Sequence, residues 1–112
     1  MCILAVDGDA NALRDLREKL CTAFPEEVIA AFDNPLNALK FGTQNQVSLL
    51  FTDVRLRPFD GYELIRALRQ KQTFRAYVVS GTREQPDHLE WMNVSGCFTK
   101  PVPLEELQNI RR

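Results

Sequence analysis

Short apolar runs alternate along this chain with stretches whose apolar residues recur every three or four places. The runs are Ile3 to Val6, Val28 to Phe32, Leu49 to Thr52, Tyr77 to Val79 and Cys97 to Thr99. Their length and residue types predict strands. After Asp9, Leu13, Leu16, Leu20 and Phe24 form one helical stripe that Pro25 stops. Asn34-Pro35 is a cap followed by proline at the first turn, and predicts a helix with Leu36, Leu39 and Phe41 inward that Gly42 ends. Gly61 opens a third helix with Leu64, Ile65 and Leu68. Thr82 to Gln85 fits a capping box before a short fourth helix holding Leu89 and Met92. Pro103 starts a last helix with Leu104, Leu107 and Ile110.

Strand and helix therefore alternate five times. That order predicts an α/β fold built on a parallel sheet with right-handed crossovers. The run Leu49 to Thr52 is nearly all apolar, as a central strand covered on both faces requires. No repeat, linker or low-complexity segment interrupts the pattern. At 112 residues the expectation is one domain, 1–112. The last helix runs to Arg112 and stops there, which reads as a cut from a longer chain near a domain boundary.

Composition narrows the class. The net charge is -1 and no basic stretch stands out, which argues against nucleic-acid binding by this segment. No apolar run has membrane length, and Met1-Cys2-Ile3-Leu4 lacks a signal-peptide layout. Cys2, Cys21 and Cys97 are an odd number without metal-ligand spacing, so they read as reduced thiols of a cytoplasmic protein.

Four of the runs end in polar groups: Asp7, Asp53, Ser80 and Lys100. On parallel strands these emerge together at the carboxyl edge of the sheet, where open α/β folds place their sites. Asp60-Gly61 follows Asp53, Gly81 follows Ser80, and Pro101 follows Lys100. In that order and spacing, the chain resembles the receiver domain of two-component response regulators over essentially its whole length.

The resemblance implies a CheY-like, three-layer α/β/α sandwich: a doubly wound, flavodoxin-like sheet of five parallel strands in the order 2-1-3-4-5. It implies a signalling domain rather than an enzyme. Asp53 would be the phosphoacceptor, taking a phosphoryl group from a histidine kinase or phosphotransfer protein. Ser80 would donate a hydrogen bond to the phosphoryl oxygens, Lys100 would pair with them, and Gly81 would leave them room. Magnesium would be held by Asp7, Asp53 and the backbone carbonyl of Arg55. The output would be a change in the face formed by the fourth helix, fifth strand and fifth helix, with homodimerisation through it as one form. The wording of Asp60 to Leu64 and Lys100 to Leu104 is similar to receivers attached to LytTR-type DNA-binding domains.

The chain departs from the family pattern in several places. Gly8 stands where a second acid is usual, so magnesium binding should be weak unless Asp9 swings in; the competing role for Asp9 is to cap the first helix. Arg57 stands where a proline is usual, and Pro58 follows it. The Arg55 side chain either faces the phosphoryl group or faces solvent. Cys97 occupies the place of the switch aromatic, and Phe98 beside it reads as core. Trp91 is either a partner anchor or half-buried, and His88 has no companion ligands. Two other functions compete. One is a phosphorylation-independent docking module on the same fold, supported by Gly8 and Cys97. The other is a haloacid-dehalogenase-type phosphatase, which Asp7-Gly8-Asp9 resembles, although it leaves Asp53 to Gly61 unexplained.

Overall fold

The structure is a computed structural model, and residues 2–83 and 93–110 are described. Five strands form one parallel sheet: β1 (Cys2–Val6), β2 (Val28–Phe32), β3 (Val47–Asp53), β4 (Arg75–Ser80) and β5 (Gly96–Thr99). Their spatial order is β2-β1-β3-β4-β5. The helices are α1 (Ala10–Ala23), α2 (Pro35–Gln44), α3 (Gly61–Arg69) and a C-terminal helix, Leu104–Gln108. The helix expected around Leu89 and Met92, with Trp91 and His88, lies outside the described residues.

Two apolar layers cover the sheet. One face carries Leu4, Val6, Leu50 and Val78 against Leu64, Ile65 and Leu68 of α3. The other carries Ile3, Ala5, Phe51 and Val79 against Leu16 and Leu20 of α1 and Leu107 of the C-terminal helix. Period-two alternation along β1 and β3 feeds both layers, which is why β1 and the run Leu49 to Phe51 of β3 are apolar at successive positions. Phe51 stacks on Tyr77 with centroids 5.0 Å apart, and Phe98 packs against Tyr77 at 5.7 Å. Phe98, partly buried, thus packs against this core, in line with its reading as a core residue.

Helix α2 corrects two expectations. Leu36 is 52% exposed, because the buried stripe runs through Pro35, Ala38 and Gly42 and places Leu36 about 100° off it. Gly42 does not end the helix, which continues to Gln44. A Cβ at Gly42 would press on the δ-carbons of Leu68 in α3. The glycine therefore marks the close approach of two helices rather than a stop. The side chain of Gln72 fastens the end of α2 to the sheet: it accepts from the Val47 N–H and donates to the carbonyls of Gly42 and Asn45.

Candidate functional site

Asp7, Asp53, Ser80 and Lys100 sit at the carboxyl edge of the sheet, each at or just past the end of a strand. Asp53 is the last residue of β3 and lies in register with Val79 of β4. Asp7 directly follows β1, and its N–H donates to the Phe32 carbonyl at 3.1 Å. Ser80 ends β4, and Lys100 follows β5; the Lys100 N–H donates to the Ser80 carbonyl at 2.7 Å. Asp7, Asp53 and Ser80 are all buried.

The Lys100 ammonium bridges the two carboxylates. Its Nζ lies 2.7 Å from Asp7 Oδ2 and 3.5 Å from Asp53 Oδ1. Burial alone would lower the Lys100 pKa, but pairing with Asp7 and then Asp53 outweighs it and leaves the ammonium above its ordinary value. The Asp53 carboxyl is pushed up by burial and then by the charge of Asp7; Lys100 and the Arg55 backbone N–H oppose this without cancelling it. Two acids and one base leave the cluster with a net charge of -1.

The shift has a sign for stability. A carboxyl whose pKa is raised on folding favours the fold at low pH, and that contribution is lost as pH rises through the folded pKa. Ionised Asp53 is therefore a strained group at neutral pH. Asp53→Asn should stabilise the domain near neutrality, and the gap should close in acid. Urea unfolding of both proteins at the two pH values measures this; a destabilised variant at neutral pH would contradict it.

The surrounding candidates divide. The Ser80 hydroxyl accepts from the Thr82 N–H at 3.3 Å, at the head of the following loop. Arg55 contributes its N–H to Asp53, while its side chain is exposed. It lines a separate hollow with Arg57, Pro58 and Phe59. Asp9 is exposed and caps α1, accepting from the N–H groups of Asn11 and Ala12 at 2.9 and 3.2 Å. Cys97 is partly buried and packs against the α3-side layer. A Cβ on Gly81 would meet nothing within 4 Å among the described residues.

Among the described residues no cluster of three or more acidic, histidine or cysteine side chains forms. The carboxylates that stand together at the sheet edge are those of Asp7 and Asp53. A hard cation that takes few protein ligands and keeps several waters fits such a set, and magnesium has that habit.

Gly61 opens α3 as its sequence predicts, and it also makes a contact that no local pattern reveals. A Cβ on Gly61 would collide with the carbonyl oxygen of Asp53 itself. The first turn of α3 thus lies directly against the end of β3. The Asp60 carboxylate and the Glu63 side chain close a reciprocal cap there, with bonds of 2.9 and 3.0 Å.

Residues 3–112 match the family model of the response regulator receiver domain. The chain belongs to that family. A CheY-like receiver domain from Methylobacillus flagellatus superposes with a TM-score of 0.84 at 19% identity, covering 96% of this chain and 92% of that one. The response regulator TrrA from Thermotoga maritima, solved in complex with Mg(2+)-BeF, gives 0.82 at 21% identity, covering 96% and 92%. A two-component response regulator from Clostridium difficile gives 0.76 at 26% identity, covering 96% and 88%. Comparison with curated protein sequences gives no match. The family assignment displaces the phosphatase reading of Asp7-Gly8-Asp9. Among the described residues no helix is long and apolar enough to cross a membrane.

Proposed function

We propose that this receiver domain accepts a phosphoryl group on Asp53 from a phosphohistidine donor, a histidine kinase or phosphotransfer protein, and relays the change through Ser80 and Lys100. The observation that carries the reading is the buried Asp7–Asp53 pair spanned by the Lys100 ammonium at the sheet edge. An Asp53 oxygen attacks phosphorus in line; the P–N bond of the donor breaks and its electron pair returns to the imidazole. Little covalent help is needed, so position and charge dominate. Asp7, Asp53 and the Arg55 carbonyl would hold magnesium, which supplies neutralisation of the phosphoryl oxygens when bound. Lys100 takes up the new negative charge as a compact cation, and the Ser80 hydroxyl turns from its Thr82 contact to donate to a phosphoryl oxygen. Both moves pull on the loops that follow β4 and β5, so the response should reach Cys97 to Leu104 and a homodimer interface on that face is one output.

Acetyl phosphate with magnesium should add one phosphoryl group to the wild type, and Asp53→Asn should abolish the addition in an intact-mass measurement. Undiminished labelling of the variant would remove Asp53 from the role. The docking-module reading is favoured by two features, Gly8 in place of a second acid and Cys97 in place of the switch aromatic. It gains if the wild type takes no label or if beryllofluoride leaves the amide shifts of Cys97 to Leu104 unmoved.

A further inference from the structure

The turn Asp7-Gly8-Asp9 holds an arrangement that the proposed chemistry does not use. Asp7 Oδ2 faces Lys100, while Oδ1 accepts the backbone N–H of Asp9 at 2.9 Å. The aim of that N–H is set by the Gly8–Asp9 peptide plane, and so by the φ of Asp9, which is extended at φ -91° and ψ 120°. The Asp9 carboxylate holds this conformation by bonding the N–H groups of Asn11 and Ala12, while its carbonyl accepts from Leu13 at 2.9 Å. The acid is thus committed to α1.

Gly8 makes this commitment matter. A glycine leaves its backbone the widest choice of conformations. A Cβ at position 8 would come no nearer to the surroundings than 4.0 Å, at the Asp33 carbonyl oxygen, so no packed side chain restrains the turn. Its far end is fixed by the cap at Asp9.

We propose that Asp9 is a positioning residue for Asp7: its cap on α1 locks the residue-9 N–H onto Asp7 Oδ1 and so presents Oδ2 to Lys100. The consequence for phosphoryl transfer rests on the reading above; the geometry does not. What position 9 requires is a side-chain oxygen that can cap, not a negative charge.

Three variants test this: Asp9→Asn, Asp9→Ala, and Asp9→Ala combined with Gly8→Ala. Asparagine keeps a capping oxygen and loses the charge. The readouts are hydrogen exchange of the residue-9 amide, which needs no phosphoryl group, and the rate of labelling by acetyl phosphate with magnesium. In Asp9→Ala the amide should exchange about ten-fold faster and labelling should slow about five-fold. Asp9→Asn should stay within about two-fold of wild type in both. Adding Gly8→Ala should recover at least half of the lost protection by stiffening the turn. If Asp9→Asn slows labelling as much as Asp9→Ala does, the charge is what counts and the proposal is overturned in favour of direct ligation. If Asp9→Ala lowers only global stability, with exchange and labelling rates otherwise intact, Asp9 is a cap alone and the proposal fails. Should the wild type take no label, the phosphoacceptor reading falls, and the exchange contrast alone decides the role of Asp9.

Discussion

Gly61→Ala should destabilise this domain by about 3 kcal/mol, the upper end of overpacking costs. The added methyl would overlap the Asp53 carbonyl oxygen and lie 3.1 Å from the Asp53 carbonyl carbon and 3.2 Å from Thr52 Cγ2. Two of these neighbours are backbone, so no rotamer change can relieve the contact. Either β3 or α3 must shift. Strand β3 is hydrogen-bonded on both sides, to β1 and β4. Helix α3 buries Tyr62, Leu64, Ile65 and Leu68 and is fastened at its first turn by the Asp60–Glu63 cap and by the Gly61 N–H on the Val54 carbonyl at 2.8 Å. The glycine is needed for space, since no glycine in the described residues has positive φ. The strained carbonyl belongs to the phosphoacceptor candidate, so labelling by acetyl phosphate should fall along with stability. Gly8→Ala supplies the contrast: with 4.0 Å of clearance it should stay within about 0.5 kcal/mol of wild type. Urea denaturation of the three proteins measures both effects. A Gly61→Ala variant as stable as Gly8→Ala would show that the β3–α3 contact yields easily.

Much of the fold was legible because periodicity reports which face a residue occupies. The short runs of β1 and β3, apolar at successive positions and set between helical stretches, read as strands covered on both sides, and an acid at or just past the end of each placed Asp7 and Asp53 at one edge. Periodicity does not report distance. That Lys100 pairs more closely with Asp7 than with Asp53 depends on how the loop after β5 enters the edge, which no local pattern encodes. The same limit explains α2. Leu36 and Gly42 were assigned from residue type, an apolar residue inward and a glycine as terminator, whereas the packing of α2 on Leu68 selected Gly42 as the contact point and turned Leu36 to solvent. Asp9 was open between two roles in the sequence. Its capping bonds to Asn11 and Ala12 assign the side chain, but its amide bond to Asp7 could be found only in three dimensions.

Gly8→Asp should tighten magnesium binding at least ten-fold, about 1.4 kcal/mol. The cluster now offers two carboxylates against one ammonium, and Lys100 neutralises one of the pair at short range. A third carboxylate at position 8 brings the net charge to -2 and adds a hard oxygen ligand beside Asp7. Space is available, because the nearest atom to a Cβ there is the Asp33 carbonyl oxygen at 4.0 Å, and the backbone is not in the left-handed region. The same substitution should lower stability in the absence of the metal, since it adds a like charge where Asp53 is already disfavoured in its ionised form by burial and by Asp7. Excess magnesium should restore it, as a ligand that binds only the folded state must. Titration followed by amide shifts, with thermal unfolding in chelator and in magnesium, separates these effects. Tighter binding together with a wider gap between the two melting temperatures is expected. Unchanged affinity would mean that the metal, if it binds, does not approach position 8, and that the donor set must be sought away from the Asp7-Gly8-Asp9 turn.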